Sequence, residues 1–101
     1  MSKEETYFNK TASQISDAKA GKLFGKLCYK INGKAFCCFF EQAMVFKLND
    51  PFHKEALILS GSKLFDPAGK GRPMKEWVQV SFKHKKHWSK FAEAAANYVL
   101  K

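Results

Sequence analysis

Carboxylates are scarce in this 101-residue chain: nine Asp and Glu stand against eighteen Lys and Arg, a formal net charge of +9. So few acids, at no spacing that pairs two of them, argue against general acid–base work. The cationic excess selects nucleic acid, anionic lipid or acidic protein as partner classes. Cysteine is limited to Cys28, Cys37 and Cys38, an odd and sparse set that does not read as a secreted disulfide framework and fits a reducing cytosol. The first ten residues lack the basic and apolar regions of a signal peptide. No apolar run approaches the roughly 20 residues a membrane span needs. The expectation is a soluble, cytoplasmic protein with no membrane partner. GxSxG, HExxH and CxxC are all missing, and the sequence predicts no enzyme and no cofactor.

Apolar residues are not scarce. They make up 46% of the chain and include ten Phe, three Tyr and two Trp, enough for one domain to bury a core unaided by disulfide or metal. Phe8, Ala12 and Ile15 form a helical stripe between Glu4 and Ala20, with Gly21 as its stop. Leu27, Tyr29 and Ile31 alternate with polar neighbours up to Asn32-Gly33, a strong hairpin signal. Ala35 to Phe40 is apolar on both faces and reads as a central strand, followed by a tight turn at Glu41-Gln42 and a strand from Ala43 to Leu48. Asn49-Asp50-Pro51 supplies an N-cap and a proline at the first helical position of a helix reaching about Leu59, closed by Gly61. A short strand at Lys63 to Phe65, a loop from Asp66 to Lys75 and a strand from Glu76 to Phe82 follow. Trp88, Phe91, Ala92, Ala95, Tyr98 and Val99 define a final helix.

The predicted order is α-β-β-β-α-β-β-α, an α+β single domain with a mainly antiparallel sheet. That order excludes a Rossmann-type alternation and differs from the βαββαβ of an RNA-recognition motif, so the aromatic run at Phe36 to Phe40 is assigned to core packing.

The loop holding Gly69, Lys70, Gly71, Arg72 and Lys75 has the composition of an anion cradle, with glycines to expose amides and cations around them. Arg72 is the only arginine, and its fork suits either a bound anion or a structural clamp on Asp66 or Glu76. Residues 63–90 carry eight Lys or Arg against Asp66 and Glu76 alone. Lys83, Lys85 and Lys86 there precede the final helix, where the dipole disfavours cations and a bound polyanion would relieve the conflict. His84 and His87, three apart, lack a visible third metal ligand and read as surface histidines. A two-residue turn at Asn32-Gly33 would set Cys28 opposite Cys37, both as buried small hydrophobes.

The segments Phe24-Gly25-Lys26, Asn32-Gly33-Lys34-Ala35-Phe36, Met44-Val45-Phe46-Lys47-Leu48 and Asp66-Pro67 through Gly69-Lys70-Gly71-Arg72-Pro73-Met74-Lys75-Glu76-Trp77-Val78 resemble the TfoX/Sxy N-terminal domain family. The similarity runs from about Phe24 to the C-terminus, and the last segment is the most specific. The resemblance implies an α+β fold related to YjbR-like and secretion-chaperone-like domains. It offers no catalytic residues. The best-known family members are regulators of natural competence with a second, C-terminal domain, so a chain ending at Lys101 resembles the stand-alone members.

Two functional expectations follow. One is a non-enzymatic module that holds nucleic acid or another polyanion through Lys70, Arg72, Lys75, Lys83, Lys85 and Lys86. The other is a protein-interaction module or homodimer that offers Phe36, Cys38 or Phe39 on an uncovered sheet face.

Overall fold

Ser2 opens the first helix, its hydroxyl accepting the Glu5 amide at 3.1 Å with Glu4 and Glu5 in the first turn. Both features suit the unpaired amides and positive dipole end of a helix. In the computed structural model, which describes residues 2–101, this helix (α1) runs Lys3–Ser13 and does not reach Ala20. Ser13, Ser16 and Asp17 favour turns over helix interior; Asp17 adopts φ 66°. The chain then enters β1 (Lys19–Leu23), a strand that begins where the sequence pattern predicts the end of the helix and its Gly21 stop. Gly21 lies within that strand opposite Cys28, where a Cβ would press on the Lys30 side chain at 3.4 Å.

The next strands are β2 (Lys26–Ile31), β3 (Lys34–Phe40) and β4 (Ala43–Lys47). Asn32 and Gly33 turn β2 into β3 with φ of 52° and 78°, the positive values a two-residue hairpin requires. After α2 (Phe52–Leu57), β5 (Lys63–Phe65) and β6 (Met74–Val80) complete a sheet of order β1-β2-β3-β4-β6-β5, antiparallel throughout. A 3-10 turn, Phe82–His87, leads into α3 (Trp88–Leu100). The molecule is an α+β domain, a six-stranded antiparallel sheet packed by three helices in the order α-β4-α-β2-α. The sequence-based order differs from it by the strand β1.

Local expectations also need correction: β6 starts at Met74 rather than Glu76, and Phe82 belongs to the 3-10 turn rather than to that strand. Pro51, not Asn49 or Asp50, occupies the N-cap of α2, with no side-chain cap. Asp50 instead pairs with Lys54 across one turn at 3.9 Å. In the β2–β3 hairpin, Ile31 faces Lys34 and Lys30 faces Ala35, but a bulge at Phe36 then shifts the register so that Tyr29 faces Cys37 and Cys28 faces Cys38. The extra residue lets Phe36 and Cys37 both join the helix-side core, an offset that bulges produce.

All three helices pack on one sheet face. Phe8 and Ala12 of α1, Ala56 of α2 and Trp88, Phe91, Ala92, Ala95 and Val99 of α3 share a cluster with Tyr29, Phe36, Cys37, Met44, Phe46, Val78 and Val80. On the opposite face Cys28, Cys38, Val45, Phe65 and Trp77 make a smaller cluster composed of strand residues alone. No helix among the described residues is long and apolar enough to cross a membrane.

Candidate nucleic-acid interface

Loop 66–73 is built around Asp66. Gly69 and Gly71 hold φ of 65° and 76°, and this left-handed backbone, natural for glycine, turns their amides inward. They donate to the two Asp66 carboxylate oxygens at 3.0 and 2.9 Å. The amides expected to cradle an external anion are therefore occupied by an internal one. Arg72 clamps neither carboxylate: among the described residues no ion pair joins it to Asp66 or Glu76. Glu76 instead lies 3.8 Å from Lys47 and accepts the Tyr98 hydroxyl at 2.6 Å, a bond that raises the Tyr98 pKa. Lys70, Arg72 and Lys75 are all exposed, and the Lys75 carbonyl is held by the His53 ring at 2.7 Å.

Lys83, Lys85 and Lys86 are also exposed, on the 3-10 turn that Ser81 caps through its hydroxyl and the Lys83 amide. The Lys85 ammonium lies 4.9 Å from the Phe82 ring centre and 5.4 Å from that of Tyr7, and Lys3 approaches Phe82 from α1 at 5.9 Å. Phe82, Tyr7 and Trp88 meet edge to face, a preferred geometry for aromatic quadrupoles. The Lys83 side chain runs past Gly61.

The six cations form two groups. Lys70, Arg72 and Lys75 lie at or before the start of β6, and Lys83, Lys85 and Lys86 follow its end. Seven residues of strand, at about 3.3 Å each, hold the two ends about 20 Å apart. Adjacency in sequence had suggested one patch. The three ion pairs among the described residues are Lys47–Glu76, Lys54–Asp50 and Lys90–Glu55, and none involves these six cations.

The remaining chemistry-bearing residues are inward-facing or engaged. His84 bonds the Ser60 carbonyl at 2.8 Å and His87 packs beside Phe91; the described residues contain no group of three or more potential metal ligands. All three thiols are free and buried. Burial pushes Cys38 up to about 12 and Cys37 well above the ordinary thiol value, with neighbouring thiols adding to both. Phe36 and Cys38 are fully buried and Phe39 packs on Phe8, so they do not form an open apolar patch.

Sequence reasoning missed a third cationic region. Residues 18–40 contain Lys19, Lys22, Lys26, Lys30 and Lys34 and no carboxylate. The misassigned helix concealed it, because only the pairing of β1 with β2 brings four of these lysines onto one hairpin. Lys26 lies over the Phe40 ring at 4.8 Å. No family model, curated protein or solved structure matches this chain.

Proposed function

We propose that this protein is a non-enzymatic nucleic-acid-binding module that acts through phosphate contacts in the cytoplasm. The observation that carries the reading is the absence of ion pairing at Lys70, Arg72, Lys75, Lys83, Lys85 and Lys86 among the described residues, although all six side chains are exposed. A lysine ion-paired with a carboxylate is partly neutralised, and among the described residues these six form no such pair. Two groups about 20 Å apart along a seven-residue strand suit an extended polyanion better than a single phosphate. Lysine-dominated contacts with one arginine favour backbone recognition over base reading.

The similarity to TfoX/Sxy N-terminal domains belongs to this proposal. In this fold its segments fall at the β2–β3 turn (Asn32-Gly33), in β4 (Met44 to Lys47) and across the loop into β6 (Asp66 to Val78). A regulatory role is the functional counterpart of that similarity.

Two triple variants test the reading, Lys70→Ala with Arg72→Ala and Lys75→Ala, and Lys83→Ala with Lys85→Ala and Lys86→Ala. Each is expected to weaken binding of a labelled oligonucleotide in an anisotropy titration and to reduce the steepness of its salt dependence by about three contacts' worth. Unchanged affinity in both variants rejects these residues as the interface.

A further inference from the structure

The turn between β1 and β2 carries Phe24 at φ 53°, followed by Gly25 at φ 74°. Glycine accepts that backbone freely, but for a bulky side chain it is uncommon and unfavourable. Phe24 gains little burial in exchange, since it is 59% exposed. Its neighbours make it conspicuous, because Lys22 and Lys26 flank the tip; at the far end of the same hairpin Lys19 faces Lys30, and like charges directly opposite oppose pairing. The local conflicts of backbone, exposure and charge converge on one twelve-residue hairpin, 19–30. Such conflicts are expected where a ligand resolves them.

The strand register shows where this tip lies. Leu23 pairs with Lys26, Cys28 with Cys38, Phe40 with Ala43, and Met44 with Val80. The Phe24 tip, the β3–β4 turn and the C-terminal end of β6 therefore share one end of the sheet. The 3-10 turn with Lys83, Lys85 and Lys86 follows β6 at that same end. From β6 across β4 and β3 to β2 is three strand spacings, about 14 Å at 4.8 Å each.

We infer that Phe24 is a stacking platform for an unpaired base, and that Lys22 and Lys26, beside it at the tip of the β1–β2 hairpin, hold the backbone of a single-stranded nucleic acid passing along this end of the sheet. The inference rests on the nucleic-acid reading above and specifies the ligand class. One exposed ring matches one base, and base–aromatic stacking is the contact by which single strands are held without sequence preference. A paired base is already stacked and presents no free face. One aromatic side chain is too little apolar surface to anchor a protein in lipid, where binding grows with the apolar area buried.

The test is Phe24→Gly, which removes the ring and relaxes the backbone, so the fold is expected to melt no lower than wild type. Binding of labelled oligothymidylate, about twenty nucleotides long, followed by anisotropy, should weaken at least about fivefold, the lower end of one stacked base. The salt slope should stay unchanged, because no charge is lost. Phe24→Trp should retain wild-type affinity, and an abasic oligomer should bind wild type and Phe24→Gly equally. If Phe24→Gly binds oligothymidylate as wild type does while the Lys83, Lys85 and Lys86 triple variant is weakened, the stacking role is wrong and the polyanion reading survives. If wild type binds no oligonucleotide, both fail. An equal loss on a duplex of the same length, or Phe24-dependent capture on anionic lipid vesicles without oligonucleotide binding, overturns the single-strand assignment.

Discussion

The Gly71 amide donates to the Asp66 carboxylate over 2.9 Å, and with the Gly69 bond this makes Asp66, not Arg72, the residue that shapes the loop between β5 and β6. Asp66→Ala is expected to lower stability by about 1 kcal/mol, as loss of a side-chain cap on backbone amides does. Arg72→Ala should stay within about 0.5 kcal/mol of wild type, the usual range for an exposed side chain outside any network. Denaturant unfolding of the two variants distinguishes a structural Asp66 from a structural Arg72.

The thiols give the fold a particular alkaline limit. Burial, with the neighbouring Cys28 adding to it, raises Cys38 from 9.0 to about 12 in the folded protein. The unfolded chain therefore loses this proton first. The associated stability is complete below about pH 9 and is lost progressively as pH rises towards 12. Stability measured against pH should fall across that window, and Cys38→Ser should flatten the fall. At neutral pH all three thiols should resist a thiol-specific chromophoric reagent until the protein is denatured, since both burial and low thiolate content oppose reaction.

Trp88 is fully buried, and its indole Nε1 has no hydrogen-bond partner among the described residues. Trp88→Phe removes an unsatisfied donor along with part of the ring, and the two effects oppose each other. Its cost should stay below about 1.5 kcal/mol, whereas Phe91→Ala, which empties the same helix-side core, should cost about 3–5 kcal/mol. Thermal unfolding of the pair checks the assignment.

The legible parts of the fold are those specified by local pattern. Leu27, Tyr29 and Ile31 alternate up to Asn32-Gly33, and strand and turn both form there. The Trp88 to Val99 stripe becomes the buried side of α3. β1 was not legible because Lys19–Leu23 contains little apolar alternation and becomes a strand by pairing with β2. The bulge at Phe36 likewise leaves no mark in a run that is apolar throughout, so the partner of Cys28 was misplaced by one residue. In the candidate site, the identity and exposure of the six cations followed from composition. Their division did not, because Lys75 and Lys83 are near in sequence but lie towards opposite ends of β6. Phe24 read as one of several aromatics until its φ and exposure set it apart.

The central claim is that exposed, unpaired cations hold a nucleic-acid backbone, and the salt dependence of binding tests it most directly. Anisotropy of a labelled single-stranded oligonucleotide, titrated with wild-type protein at several salt concentrations, should give an affinity that falls steeply. The logarithmic slope should be roughly −4 if six phosphate contacts form at about 0.7 each. Absence of binding even at low salt, or an affinity indifferent to salt, would contradict the account.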